Sequence, residues 1–495
     1  MRDQGLGSWP ARRTRMTPRR VALSHRGRDL TYRDLHTRVN RLAHALAELG
    51  VRRGDRIAYL GPNHPATVET FFAAGALGAV FVPLNNRLTA PELSYIVDDA
   101  GAGTIVLGEG QSGDGLPGRH LTASAYEDLL ASGDPGPLDE PVSRDDLCLI
   151  MYTSGTTGRP KGAMLTHGNL IWNTVNLLVD VPLDADEVVL VSAPLFHIAA
   201  LAQTLIPAVL KGGRVILEPS FEVGTTFDLI EAERVTMMFG VPAMFTFLAQ
   251  SPRWARADLS SLRHLLCGGA PVPEPLIRTY QERGLTFLQG YGMTEAAPGA
   301  LFLAAEHSVA KAGSAGVPCF FSDVRLVAPD GSPAAPGQPG EVYVQGPNVT
   351  PGYWGRPEET EKVLSADGWF RSGDVGVADE EGFVRISDRI NDMIISGGEN
   401  VYPAEVESAL YGHPAVAECA VIGVPDDRWG EVGKALIVLR PGETPPAGDL
   451  VAYLYGRLAR YKIPKYVEFV AELPRNAAGK LLKARIRERY GTGER

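Results

Sequence analysis

Cysteine is scarce in this sequence, with four in 495 residues at Cys148, Cys267, Cys319 and Cys419. Their scatter matches neither the paired spacing of a zinc site nor a disulfide framework, so buried free thiols in a reducing cytoplasm are expected. Long apolar runs are missing as well. A bilayer span needs ~20 consecutive apolar residues, and without one no stable membrane insertion is expected. Positive charge is the third shortage: 48 Lys and Arg stand against 58 Asp and Glu, for a net charge of −10. A nucleic-acid partner is not expected of such a chain. The arginines near the start (Arg12, Arg13, Arg15, Arg19 and Arg20) are followed by no apolar h-region, which argues against a secretory signal. Residues 6–16 read instead as a short basic amphipathic helix that stops before Pro18. No internal repeat is visible, and the one compositionally biased stretch, rich in Gly, Ser and Asp, lies at 109–140.

What is present is an ordinary globular composition, over a length at which single cores stop growing, so two or more domains are expected. Helical periodicity over 30–49, around Val68 to Ala76 and over 91–99 alternates with strand-like runs at 56–60, 79–84 and 104–108. The alternation resumes with strands at 188–194, 214–217, 236–239 and 262–267 and a long apolar helix at 201–210. This order predicts βαβ units and a mainly parallel sheet. The stretch 109–140 reads as irregular surface linker. From Ser322 the character changes to short strands with Pro/Gly turns, which predicts a small antiparallel, barrel-like subdomain. The expected architecture is therefore α/β. A large N-terminal domain spans 1–387 and includes the β subdomain at about 322–387. A hinge follows at 388–391, then a small mobile α+β domain at 392–495.

One stretch concentrates chemistry. Tyr152 to Gly162 reads YTSGTTGRPKG and follows the apolar strand-like run LCLIM. A strand entering such a loop turns many backbone N–H groups and hydroxyls toward one point, as a phosphate chain requires. It is not a Walker loop: Gly155 and Gly158 are three apart, and Lys161 is followed by Gly162 rather than Ser or Thr. The next residues, 163–166, look like a second strand, with Thr166 as the N-cap of a helix from His167. The anion is thus expected at a hairpin tip. Other polar and glycine-rich clusters also fall just after predicted strands, where open α/β sheets bind ligands.

These clusters occur in a fixed order: YTSGTTGRPKG, PLFHI at Pro194, GGAP at Gly268, QGYGMTE at Gln289, GEVYVQGPNVTPGYW at Gly340, WFRSGDVG at Trp369, SDRINDMIISGGENVYPAEVE at Ser387 and PRNAAGK at Pro474. Together they resemble the adenylate-forming (ANL) superfamily, and within it the acyl-CoA and aryl-CoA synthetases, from about residue 30 to the end. The resemblance implies an ATP-dependent acid–CoA ligase. Such an enzyme converts a carboxylate, whose own leaving group would be oxide, into an acyl-adenylate with release of pyrophosphate; AMP then leaves to the thiol of coenzyme A.

The resemblance also implies a set of residues. Thr153, Ser154, Gly155, Thr156, Thr157, Gly158 and Lys161 would cradle the β- and γ-phosphates. Gly269, Ala270 and Pro271 would line the adenine face, and within Gly290, Tyr291, Gly292 and Met293 the tyrosine would stack on the base. Thr294 would reach the α-phosphate, and Glu295 would bind Mg²⁺, a single carboxylate working with substrate phosphates. Asp374 and Arg389 would hold the ribose, and Lys480 would be the adenylation lysine. Gly397, Gly398 and Glu399 would border the channel for coenzyme A. At the hinge, where the family usually carries Asp or Lys, this sequence has Asn391.

For the acid, Phe196, His197, Val241, Met244, Met293 and Ala297 would form the pocket, with Ala199 and Gly299 beside them. His197 would be the gate between this pocket and the nucleotide; the other residues are apolar or small, so a hydrophobic acid is expected: medium- or long-chain, aryl or polycyclic. Amino-acid activation would want an aspartate near Phe196, and none is there. The place of such an enzyme is the cytoplasm, in fatty-acid or specialised metabolism, with a homodimer left open. Two alternatives stand beside this reading. A relative running only one half-reaction rests on Asn391 alone. A non-catalytic nucleotide-binding scaffold would have no need of Lys480.

Overall fold

The architecture comes from a computed structural model that describes residues 3–491 except 154–159, 271, 390–391, 397–398, 427, 456, 459 and 476–480; of 388, 389, 395, 399 and 400 it describes the backbone alone. The alternation of strands and helices produces two sheets rather than one. The larger has nine strands, ordered Val317–Pro318, Gly299–Leu303, Phe287–Gly292, His264–Cys267, Met237–Gly240, Val188–Val191, Arg214–Leu217, Val21–His25 and Arg28–Thr31. Its six central strands, from Phe287–Gly292 to Val21–His25, run parallel to one another, and the outer pairings at both ends are antiparallel. The second has six, ordered Arg119–Leu121, Ala102–Leu107, Arg56–Leu60, Val80–Leu84, Leu147–Thr153 and Lys161–Thr166, parallel except for the last pair.

Strands buried on both faces read as continuous apolar runs, and Val80–Leu84 and Met237–Gly240 are buried at every residue. A helix apolar all round must be buried likewise. Pro65–Leu77 comes close, with Glu69 its one charged residue and buried too: its Val68, Phe71 and Phe72 join Phe81 of the six-stranded sheet and Val189 of the nine-stranded one in a single core.

The stretch 109–140 corrects the expectation of an irregular linker, because it contains the strand Arg119–Leu121 and the helix Ala123–Ser132. Thr122 caps that helix, its Oγ1 accepting from Ala125 N at 3.3 Å. Tyr126 and Leu130, each 3 % exposed, pack into the main core, and the Tyr126 hydroxyl donates to Glu69 Oε2 at 2.6 Å. Two apolar anchors and one buried hydrogen bond hold a segment whose composition is otherwise polar.

The expected helix at 201–210 is also modified. It opens with a π-helical turn, Leu201–Leu205, before continuing as Ile206–Lys211. After residue 322 the strands Asp323–Val327, Pro339–Gln345, Phe370–Ala378 and Val384–Arg389 form an antiparallel four-stranded sheet in sequence order. The C-terminal region is an α+β unit. Its long hairpin Val416–Asp426 and Gly430–Leu439 shares a core with the helices Pro403–Tyr411 and Ala447–Leu454.

Candidate active site

Leu147–Thr153 and Lys161–Thr166 pair antiparallel with Thr153 opposite Lys161, so the loop between them is a hairpin tip at the carboxyl end of a parallel strand. Ser154, Gly155, Thr156, Thr157 and Gly158 lie outside the described residues. The outer strand of the hairpin does not hang free. Met164 N donates to Gly352 O at 3.0 Å, Trp354 N donates to Gly162 O at 2.8 Å, and Thr350 Oγ1 donates to Met164 O at 2.6 Å. The motif GEVYVQGPNVTPGYW therefore ends as a strap along the hairpin. At its base the Tyr152 hydroxyl donates to Asp99 Oδ2 at 2.7 Å, and Arg356 pairs with Oδ1 of the same carboxylate. Burial and the neighbouring Asp99 hold the Tyr152 phenol well above its ordinary pKa.

Lys161 and Glu295 meet through one aromatic ring. The Lys161 ammonium is ion-paired with Glu359 and lies 5.5 Å from the centroid of Tyr353. The Tyr353 hydroxyl donates to Glu295 Oε1 at 2.8 Å. Glu295, 9 % exposed, belongs to the short turn Thr294–Ala296 that follows the strand Phe287–Gly292, and its carbonyl accepts from Thr350 N at 2.7 Å. Among the described residues no group of three or more His, Cys, Asp and Glu could hold an ion alone. One hard carboxylate donor close to the hairpin expected to take the phosphates suits Mg²⁺, which is usually held by few protein ligands together with phosphate oxygens.

Asp374 lies on Phe370–Ala378, directly opposite Arg389 in the neighbouring strand, so the two expected ribose contacts are cross-strand partners. The Tyr291 hydroxyl donates to Asp374 Oδ2 at 2.6 Å, joining the four-stranded sheet to the carboxyl end of a strand of the nine-stranded one. Gly269 and Ala270 follow the strand His264–Cys267 and line the same cleft as Gly290, Tyr291, Met293 and Thr294. Gly292 is required by close packing: a Cβ there would come 1.7 Å from Pro298 O.

Phe196, His197, Val241, Met244 and Met293 also face this cleft, as do Ala199 and Gly299. The rings of Phe196 and His197 lie 4.8 Å apart. His197 Nε2 is enclosed with no hydrogen-bond partner among the described residues. Burial pushes the imidazole down to about 4, so it is neutral at physiological pH. Ala297 corrects the expected pocket. It takes a left-handed backbone conformation (φ 62°) and sits fully buried in the main core rather than on the cleft wall.

The wall is also less apolar than expected, since Asn173, Asn176, Asp180 and Gln203 line it too. Tyr353 lies within the GEVYVQGPNVTPGYW motif but had no expected role, and Glu359 and Asp99 lie outside every motif. Each contacts a motif residue rather than belonging to the phosphate loop. Pro271, Asn391, Gly397, Gly398 and Lys480 lie outside the described residues, and of Arg389 and Glu399 only the backbone is described.

Comparison with known proteins fits this geometry. Residues 10–354 match the AMP-binding enzyme family, and 405–480 match the C-terminal domain of AMP-binding enzymes. The chain belongs to this adenylate-forming family. It is 58% identical over 495 residues to a feruloyl-CoA synthase of Amycolatopsis, covering 99% of this chain and 100% of that protein. It is 43% identical over 498 residues to an indoleacetate–CoA ligase of Aromatoleum aromaticum, covering 98% of each. Among solved structures, the o-succinylbenzoate CoA synthetase of Bacillus subtilis in complex with its acyl-adenylate intermediate superposes with a TM-score of 0.89 at 35% identity, covering 98% of each chain. Within the family the chain is an AMP-forming acid–CoA ligase, using ATP, Mg²⁺ and coenzyme A. No helix among the described residues is long and apolar enough to cross a membrane.

Proposed function

We propose that the acid is aromatic, of the hydroxylated cinnamic type to which ferulate belongs, and that the cleft activates it through the residues named above. The single observation that carries the site assignment is convergence. Lys161, Glu295 and the Tyr291–Asp374 pair come from four separate strands or turns and line one cleft beside Phe196 and His197. The aryl reading is supported by the 58% identity to a feruloyl-CoA synthase. It is supported as well by walls that combine rings with polar amides, Phe196 and His197 beside Asn173 and Gln203, where an aliphatic chain would call for apolar lining throughout.

In this reading the hairpin from Thr153 to Gly158 and Lys161 hold the leaving pyrophosphate. Tyr291, Gly269, Ala270 and Pro271 enclose adenine, and Asp374 and Arg389 take the ribose hydroxyls. Glu295 holds Mg²⁺, which supplies charge neutralisation on the phosphates. Neutral His197 separates acid from nucleotide without adding charge. Thr294 reaches the α-phosphate, and Lys480 stabilises charge that peaks as the carboxylate attacks. Gly397, Gly398 and Glu399 border the path of coenzyme A in the second step, after the small domain turns about Asn391. Four buried free thiols suit a cytoplasmic setting.

Carboxylate-dependent exchange of pyrophosphate into ATP, with 4-hydroxy-3-methoxycinnamate as the acid, tests the first step, and thioester formation with coenzyme A tests the second. Lys480→Ala is expected to lose ~3–4 kcal/mol of transition-state stabilisation, about a hundred- to thousandfold in exchange. Thioester formation from a synthetic acyl-adenylate should survive. Equal loss of both steps would remove the role given to Lys480.

A further inference from the structure

The strap at the end of GEVYVQGPNVTPGYW, residues 346–354, touches two walls of the cleft that belong to different sheets. One wall is the turn after Phe287–Gly292, which carries Thr294 and Glu295. The other is the outer strand of the hairpin, Lys161–Thr166. Backbone groups and small polar side chains make most of the joins. Asn348, fully buried, donates from Nδ2 to Ala296 O and Gly299 O, each at 2.7 Å, and its Oδ1 accepts from Ser322 Oγ at 2.7 Å. Thr350 serves both walls, its N donating to Glu295 O at 2.7 Å and its Oγ1 to Met164 O at 2.6 Å. Gly352 O accepts from Met164 N, and Trp354 N donates to Gly162 O. These bonds satisfy backbone groups left over at a sheet edge and in a turn. They hold the strap without the Tyr353 side chain.

The Tyr353 backbone is fixed from the opposite side. Its N donates to Thr360 Oγ1 at 3.0 Å. At Gly352, whose φ is 137°, a Cβ would lie 2.5 Å from Thr360 Cγ2, so the helix Pro357–Val363 packs directly against the strap. The Tyr353 ring projects from this braced backbone into the cleft. Its hydroxyl donates to Glu295 Oε1 at 2.8 Å, and its centroid lies 5.5 Å from Lys161 Nζ. The backbone joins serve the fold, whereas the phenol meets two charged groups of the site.

A carboxylate offers about four lone-pair sites, so one phenol can fix its plane while the group still takes a cation. A side chain fixed beforehand also loses less freedom when the ion arrives. Partners that hold a metal-binding side chain in this way alter metal affinity by roughly 10- to 100-fold when removed.

We propose that Tyr353 is a positioning residue whose hydroxyl orients the Glu295 carboxylate for Mg²⁺. This rests on the assignment of Glu295 to Mg²⁺ in the reading above, and it names the group that holds that carboxylate in place. The ring, set against Lys161, keeps the same side chain in register with the hairpin.

The test is calorimetric titration of ATP into the full-length protein, over a series of Mg²⁺ concentrations and separately in EDTA. Tyr353→Phe keeps the ring and removes only the hydroxyl. It should raise the Mg²⁺ concentration that gives half of the metal-dependent tightening by roughly 10- to 100-fold, while ATP affinity in EDTA is unchanged. Tyr353→Met, which also lacks the hydroxyl, is the second variant should the first fail to fold, and the same rise is expected of it. A merely structural role would weaken ATP by one factor with and without Mg²⁺, because a displaced strap disturbs hairpin and turn alike. That outcome, or a Mg²⁺ requirement equal to that of the wild type, would overturn the assignment of the hydroxyl. Glu295→Gln separates this from the reading beneath it. If Glu295→Gln raises the Mg²⁺ requirement and Tyr353→Phe does not, Glu295 remains the ligand and only the role of Tyr353 is overturned. If Glu295→Gln leaves the requirement unchanged, the Mg²⁺ assignment falls and takes this proposal with it.

Discussion

Replacing Glu359 with glutamine should tighten ATP binding. In the structure the Lys161 ammonium already has a counter-ion, the Glu359 carboxylate, while Arg356 Nε stands 3.9 Å from the other oxygen of that carboxylate. Polyphosphate arriving at the hairpin must draw Lys161 away from Glu359 or share it. With Lys161 17% and Glu359 29% exposed, the pair is neither fully solvated nor dry. At 4 Å and an effective dielectric constant of about 20 the gross attraction is ~4 kcal/mol. Solvent screening and the ordering of two long side chains leave a net value nearer 1 kcal/mol. Removing that competition should lower Kd for Mg·ATP by roughly fivefold. The gain should shrink as salt rises, because partly exposed charges are screened. Fold stability should fall by no more than ~1 kcal/mol. Calorimetric titration of Mg·ATP into Glu359→Gln and wild-type protein, without acid, measures the binding change directly. An unchanged or weaker affinity would refute the reasoning and make Glu359 a residue that aims Lys161 rather than one that restrains it.

Two further predictions concern the scaffold. Glu69 is fully buried, and its carboxylate is held by Arg38 Nε at 2.6 Å and the Tyr126 hydroxyl at 2.6 Å. Arg38→Ala should cost ~3–5 kcal/mol in urea unfolding by stranding that charge, and Arg38→Ala/Glu69→Ala should recover part of it; a single-variant cost under ~1 kcal/mol would contradict the pairing. His167 is fully buried, its Nδ1 accepts from Leu6 N at 3.1 Å, and burial pushes its pKa down to about 4. Above the unfolded value of ~6.5 both states are neutral, so His167 contributes no pH dependence there. As pH falls below ~6.5 only the unfolded chain takes up the proton, and stability should drop by up to roughly 3 kcal/mol by pH 4. Unfolding free energy followed from pH 7.5 to 4 should show this fall, and His167→Gln should flatten part of it; an equally steep profile in the variant would show that other groups carry the acid loss.

What the sequence made legible follows a physical pattern. Val80–Leu84 and Met237–Gly240 could be read because a strand covered on both faces is apolar throughout. The hairpin Leu147–Thr153/Lys161–Thr166 could be read because glycines and hydroxyls crowded between two short apolar runs supply the many donors that a polyanion needs. The helix Ala123–Ser132 could not, since its fold rests on Tyr126 reaching Glu69 some 57 positions away. The division into two sheets was hidden for a similar reason: βαβ alternation specifies parallel neighbours but not which sheet a strand joins.

At the site, the residues proposed to meet the nucleotide stood out by composition, while those that hold them did not. Glu359, Tyr353 and Asp99 are ordinary residues until the fold brings them against Lys161, Glu295 and Tyr152. The pocket floor shows the limit most clearly. Asn173, Asn176 and Asp180 sit at helical spacing in plain view, yet polar residues on one helix face normally mean solvent. Only the packing of Gly299 and Cys319 against that face, and a neighbouring turn widened by one hydrogen-bond register at Gln203, turns the same pattern inward. The apolar residues of PLFHI and GMTE indicate an enclosed, hydrophobic stretch of wall. Which of several amides on that wall is left with an enclosed, unpartnered carbonyl among the described residues, here Gln203, is decided by the same packing, and sequence alone does not show it.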